Sequence, residues 1–263
     1  MTETLQTPPL VIASSPAPGV ALLTIDRPAR RNALNLAVKQ ELGAALAALE
    51  QDASVRVVII TGAGGYFVAG TDIAEMATMT PTDHTLLATD AVFHQLRRSS
   101  KPLIAAVESY ALGGGCELAL ACDLIVAGAG ARFGQPEIRV GIMPGAGATQ
   151  RLVRTMGKYQ ALRLMLTGEP IAARDALAAG MVSEVVADGA ALARATALAV
   201  TIAAMPPLAV RAIREVVHMG QDLPLDSALL LERKAFQLLF DSGDQREGMQ
   251  AFLEKRSPQF QGS

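Results

Sequence analysis

The segment from Ala111 to Leu152 reads ALGGGCELALACDLIVAGAGARFGQPEIRVGIMPGAGATQRL, and it decides how the rest of the chain is understood. It carries two carboxylates, Glu117 and Glu137, each opening a short helical pattern, one after Gly113-Gly114-Gly115 and the other after Pro136. Glycine lets a backbone approach a ligand closely. A helix N-terminus offers N–H groups without partners to any oxygen bearing negative charge. Oriented donors beside two acids suit proton transfer at a polarised carbonyl. Each acid alone has a simpler explanation, because a first-turn carboxylate gains roughly 0.3–1 kcal/mol from the helix dipole and proline marks an ordinary helix start. The setting of Glu117 shifts that balance. Leu118-Ala119-Leu120-Ala121 and the run Leu124–Ala127 surround it in sequence, and burying a carboxylate in such company costs several kcal/mol unless it is paired or used.

Outward from this segment, strand and helix signals alternate. Leu10–Ser14 and Val20–Asp26 read as strands about the turn Pro16-Ala17-Pro18-Gly19. Leu36–Leu49 has helical apolar spacing behind Asn35 as N-cap. Val55–Thr61 is a β-branched run suited to a strand covered on both faces. A glycine-rich loop follows at Gly62–Gly70, then one helix over Asp83–Arg98 and a strand at Leu103–Val107. The alternation persists to about Val186 and predicts an α/β fold with parallel pairing. Beyond Ala190 the pattern is helical: Leu192–Ala204, Leu208–Met219, Leu225–Phe240 and Asp244–Lys255. Residues 1–189 are therefore expected to carry the site, and 190–263 to form a helical oligomerisation region. Stretches such as Ala228–Phe240 are apolar around much of the helix and need partners on more than one side.

Composition narrows the function. Of 263 residues, 51% are hydrophobic but only 4% aromatic, so the core must be aliphatic and rich in alanine. A net charge of −2 and a pI near 6.0 leave no footprint for nucleic acid or an anionic membrane. No apolar run approaches the roughly 20 residues that span a bilayer, and MTETLQTPPL has neither a basic region nor an apolar stretch. Cys116 and Cys122 share one helical pattern and are not placed to bridge. A cytoplasmic, reduced location is expected.

Several chemistries fail on their motifs. Gly62-Ala63-Gly64 has Phe67 where a dinucleotide fingerprint needs glycine or alanine, and Gly157-Lys158 is followed by Tyr159 rather than serine or threonine. No Gly-x-Ser-x-Gly or His-Glu-x-x-His occurs, and His84, His94 and His218 read as surface or packing residues. No metal-ligand cluster and no bound cofactor are expected.

Together with Phe67-Val68-Ala69-Gly70-Thr71-Asp72-Ile73, the Ala111–Leu152 segment resembles the crotonase superfamily, and most closely its enoyl-CoA hydratases. The resemblance runs from Val20–Asp26 to Glu247–Arg256. It implies a crotonase-like β-β-α spiral core, a helical C-terminal trimerisation region, and a homotrimer or a hexamer of two trimers. It also implies an acyl-CoA thioester substrate and reversible addition of water to a trans-2-enoyl-CoA. Glu117 would activate water and Glu137 protonate the α-carbon, although the residues alone do not separate these roles and a shared water could deliver both fragments. The backbone N–H groups of Thr71 and Gly114 would hold the thioester oxygen, and Gly145 would help hold the water. Coenzyme A would lie along Arg30, Arg31, Ala33, Ala69, Gly70, Asp72 and Ile73, with Phe236, Phe252 and Lys255 reaching the CoA of a neighbouring subunit. Ala74 stands where hydratases often carry a lysine. Enoyl-CoA isomerase or another crotonase-type lyase is the alternative within the fold, and a non-catalytic RNA-associated member the alternative outside catalysis.

Overall fold

A computed structural model describes residues 8–263, so the first seven residues of the N-terminal stretch read above lie outside it. In chain order the strands are β1 (Val11–Ala17), β2 (Val20–Ile25), β3 (Val57–Gly62), β4 (Leu103–Val107), β5 (Tyr110–Leu112), β6 (Leu124–Gly128), β7 (Arg132–Gly134), β8 (Ile171–Ala172) and β9 (Glu184–Val186). The helices are α1 (Leu36–Gln51), α2 (Ile73–Met76), α3 (Pro81–Leu86), α4 (Ala91–Arg98), α5 (Gly114–Leu120), α6 (Ala148–Thr167), α7 (Ala173–Ala178), α8 (Ala191–Ala203), α9 (Pro207–Gly220), α10 (Leu225–Leu239) and α11 (Gly243–Glu254). One sheet has the order β1-β2-β3-β4-β6-β9 and a smaller one the order β5-β7-β8. In the larger sheet β1 and β2 form an antiparallel hairpin and the remaining pairs are parallel, whereas in the smaller sheet β5–β7 is parallel and β7–β8 antiparallel.

Strand β3 shows why the large sheet needs cover on both faces. Val58 and Ile60 point into one cluster with Val38, Leu42 and Leu46 of α1 and Val92, Phe93 and Leu96 of α4. Val57 and Ile59, one residue out of phase, join a second cluster with Ala191, Ala195, Ala199 and Ala203 of α8. An alanine at every fourth position gives α8 a flat ridge that approaches the strands closely. The packed unit therefore extends past residue 190 to the end of α8. Asn35 caps α1 as expected, accepting the Val38 N–H at 3.0 Å.

The single helix expected over Asp83–Arg98 is instead two, α3 and α4. Thr80 and Asp83 form a reciprocal capping box that starts α3 on its own, and Ala88 turns the chain with φ 45°. The resulting corner carries His84 and Thr89. Beyond the sheet, α9 and α10 pack on one another, and neither has a buried residue. Ile213, Val217, Leu225, Leu230 and Leu238 are all exposed there. Among the described residues no single helix is long and apolar enough to cross a membrane.

Candidate active site

The site is assembled where the two sheets meet. Val68 bridges to Ala111 and Leu34 to Thr71, which draws the Phe67–Ile73 loop against β5 and the start of α5. The glycine triplet permits that approach. A Cβ on Gly115 would stand 2.1 Å from the Val68 carbonyl oxygen, so any side chain there would push α5 off the loop. Gly113 has φ 51°, and a Cβ on it would stand 2.9 Å from Glu137 Oε1. A Cβ on Gly114 would lie 3.6 Å from the Thr71 nitrogen. The N–H groups of Thr71 and Gly114 are thus neighbours, and neither has an acceptor among the described residues.

These elements wall a cavity of about 840 Å³ that contains both carboxylates together with Ala69, Gly70, Thr71, Ile73, Gly113, Gly114, Gly145 and Ala146. Its volume lies within the roughly 300–1,000 Å³ of ordinary ligand pockets. Glu117 is 3% exposed. Its Oε1 accepts the N–H of Ala146 at 2.7 Å and of Ala148 at 3.0 Å. Burial raises its proton affinity, opposed by those two N–H groups and by the charges of Arg151 and Lys39. Glu137 sits on the 3-10 turn Pro136–Val140 and is half-buried. Burial, aided by the Glu117 charge, pushes its pKa up to about 7, against the pull of its own backbone N–H. The two acids thus differ in their hydrogen bonding.

The other residues singled out in the sequence divide into groups. Ala69, Gly70 and Ile73 line the cavity, whereas Arg30 and Arg31 stand exposed on a turn outside its wall and Ala33 lies behind them. The Asp72 carboxylate is already engaged, capping α2 at Ala74 N (3.1 Å) and pairing with Arg27 Nη1 (2.7 Å). Gly145 lines the cavity, but the donors to Glu117 are the next residue and the one after Gly147, Ala146 and Ala148. Phe236, Phe252 and Lys255 are exposed on α10 and at the end of α11, away from this cavity. Cys116 and Cys122 are free and buried.

His84 is exposed, as expected of a surface residue, and it also stands at the cavity wall, with Nδ1 3.0 Å from Thr89 Oγ1. His94 is exposed and pairs with Asp90, and the partly buried His218 pairs with Asp123. Two further groups escaped sequence reasoning. Lys39 lines the cavity from α1. It falls on the i, i+3, i+7 ridge with buried Leu42 and Leu46, so a lysine on an apolar helix face was the available signal. Gln135 is fully buried between Cys116 and Glu137. With its amide oriented to satisfy both ends, Nε2 donates to Glu137 Oε1 at 3.0 Å and Oε2 at 3.2 Å.

Residues 16–263 match the family model described as Enoyl-CoA hydratase/isomerase. The chain is 47% identical over 249 residues to the 2,3-dehydroadipyl-CoA hydratase of Escherichia coli (strain K12), covering 92% of this chain and 95% of that one. It is 45% identical over 239 residues to a probable mitochondrial enoyl-CoA hydratase of Dictyostelium discoideum, covering 91% and 86% of the two chains. The crystal structure of enoyl-CoA hydratase from Bacillus anthracis superposes with a TM-score of 0.93 at 36% identity, over 97% of this chain and all (100%) of that one.

Proposed function

The chain belongs to the enoyl-CoA hydratase/isomerase family, a branch of the crotonase superfamily, and on that premise we propose that it is an enoyl-CoA hydratase, adding water reversibly to trans-2-enoyl-CoA thioesters to give 3-hydroxyacyl-CoA. The observation that carries this reading is the convergence of Glu117, Glu137 and the Thr71 and Gly114 N–H groups on one cavity.

In the proposed reaction Glu117 takes a proton from water as the water oxygen bonds to the β-carbon. The π electrons move toward the thioester oxygen, and the two backbone N–H groups hold the charge that develops there. One such donor contributes about 2.7–4 kcal/mol in acyl chemistry. Glu137, whose pKa near 7 leaves it partly protonated at neutral pH, gives its proton to the α-carbon. Glu117 ends protonated and Glu137 ionised, and exchange with solvent restores the starting pair. The two N–H groups from Ala146 and Ala148 favour the ionised form of Glu117 and so suit it to be the base.

For CoA, the exposed Arg30 and Arg31 supply cations for the phosphates, and Ala33, Ala69, Gly70 and Ile73 a close-fitting edge. Asp72 shapes that edge through its bond to Arg27 rather than by touching the ligand. The bare apolar faces of α9 and α10 favour a homotrimer or hexamer, in which Phe236, Phe252 and Lys255 extend toward a neighbour's CoA. No cofactor beyond the CoA of the substrate is required in this reading, which takes the protein to be cytoplasmic.

The purified protein mixed with crotonyl-CoA tests the reading. Loss of the conjugated-thioester absorbance is expected. An enzyme that leaves crotonyl-CoA untouched while converting a 3-enoyl-CoA to the conjugated isomer would overturn hydration in favour of isomerisation.

A further inference from the structure

Apart from the two acids, the cavity is lined by Ile73, Met76, Met79, Phe93, Ile142 and Met143, which suit a hydrocarbon chain, and by the charged groups Lys39, Asp90 and Arg139. Lys39 reaches the cavity from α1, and its Nζ donates one hydrogen bond, to the Thr89 carbonyl oxygen at 3.0 Å. An ammonium carries three donors, and no carboxylate lies within 4.0 Å of this one among the described residues.

The acids nearest to it are engaged elsewhere. Glu75 Oε2 accepts the Leu36 N–H at 2.8 Å, Asp90 pairs with His94 at 2.9 Å, and Glu117 takes the N–H groups of Ala146 and Ala148. Burial lowers the proton affinity of Lys39, against the pull of these acids, so the protein leaves it short of counter-charge. His84 stands on the same wall, its Nδ1 taken by Thr89 Oγ1 and its Nε2 without a partner among the described residues. A partly desolvated cation and an exposed imidazole that both contact Thr89, on the wall of a largely apolar cavity, have the chemistry to receive the far end of an acyl group that terminates in a carboxylate.

We propose that Lys39, with His84 beside it, reads an ω-carboxylate, making this enzyme selective for enoyl-CoA thioesters of dicarboxylic acids over those ending in methyl. This deepens the hydratase reading and rests on it. Lys39 binds the non-reacting end of the substrate, so its contribution is to positioning and selectivity rather than to proton transfer.

The test compares kcat/KM for trans-2-hexenedioyl-CoA and trans-2-hexenoyl-CoA, equal in chain length and different only in the terminal group. Crotonyl-CoA is assayed in parallel. Wild type is expected to prefer the dicarboxylic thioester by about tenfold or more, the equivalent of roughly 1.4 kcal/mol. In Lys39→Met and Lys39→Gln that ratio should fall at least about tenfold, whatever common change in rate the substitutions cause. Equal use of both six-carbon substrates by wild type would overturn the proposal while crotonyl-CoA turnover left the hydratase reading standing. A loss shared equally by both substrates in the Lys39 variants would also overturn it, since the lysine would then be acting on Glu117. No turnover of any of the three would bring down the hydratase reading, and the selectivity with it.

Discussion

The two walls of the cavity carry the same side chain in opposite settings. On the α5 wall, Glu117 is buried and clasped by two backbone N–H groups of the Ala146–Ala148 loop, with Arg151 and Lys39 nearby. On the facing wall, Glu137 rides a 3-10 turn, keeps more exposure, and leans on one side-chain amide, that of Gln135. Burial raises the proton affinity of both acids, opposed at Glu117 by two backbone N–H groups. The more deeply buried acid is the one the backbone stabilises as an anion, and the shallower one is pushed up to about 7. In the proposed reaction these unlike environments suit one carboxylate to be the base and the other the acid.

The largest expected effect that could break this contrast comes from removing either titrating group. Glu117→Gln and Glu137→Gln should each lower kcat by about 10²–10⁴ with KM little changed, because each deletes a proton transfer and keeps the shape. A near-normal rate in either variant would leave that wall without a chemical role. Next in size is Gly113→Ala. Its Cβ would meet Glu137 Oε1 at 2.9 Å, on a backbone with φ 51°, so a loss of roughly 10²-fold is expected from a displacement of the acid by an ångström or less.

Stability offers a check that does not depend on turnover. The folded-state pKa of Glu137 lies above its ordinary value of 4.5, so the folded state favours the protonated form. That stabilisation is complete below about pH 4.5 and is lost as pH rises through 7. Above pH 7 the ionised carboxylate strains the fold. Glu137→Gln should therefore be more stable than wild type at pH 8, by about 1–2 kcal/mol after allowing for its partial exposure. Thermal melts at pH 8 and pH 5 would show a gain of a few degrees at the first that shrinks at the second. A variant no more stable at pH 8 would mean that Glu137 is not desolvated.

The smallest effect sharpens the role of Gln135. Gln135→Met removes the donor to the Glu137 carboxylate and should move the apparent pKa of the kcat–pH profile upward by less than about one unit. An unchanged profile would make Gln135 a packing residue. In either case the profile belongs to the coupled pair, so the shift rather than its absolute position is the informative quantity.

Much of this arrangement was legible in the chain. The alternation of Val57 to Ile60 between two clusters follows from strand period, and Asn35 announces the start of α1. The acids drew notice because Glu117 sits in an apolar run that has no use for a charge. What stayed hidden did so for identifiable reasons. The break between α3 and α4 depends on Ala88 adopting a left-handed backbone that nothing in its side chain favours. His84 is a surface residue as read, and only the fold shows that it borders the cavity. Gln135 and Lys39 lie 96 residues apart in sequence (135 − 39), and neither type is informative until the fold shows what it faces. The short strands β5, β7 and β8, two or three residues each, are below the length at which periodicity is readable.

The sequence by itself determined the materials: an aliphatic, alanine-rich parallel sheet, helical C-terminal segments with apolar faces, and glycines placed where backbone must pass close to backbone. Tertiary structure decided which amides reach Glu117, that burial raises the proton affinity of both acids, and that a lysine from α1 shares their cavity. Periodicity and residue type act over a few positions along the chain, whereas proton affinity is set by whatever dipoles and charges the fold brings within a few ångströms.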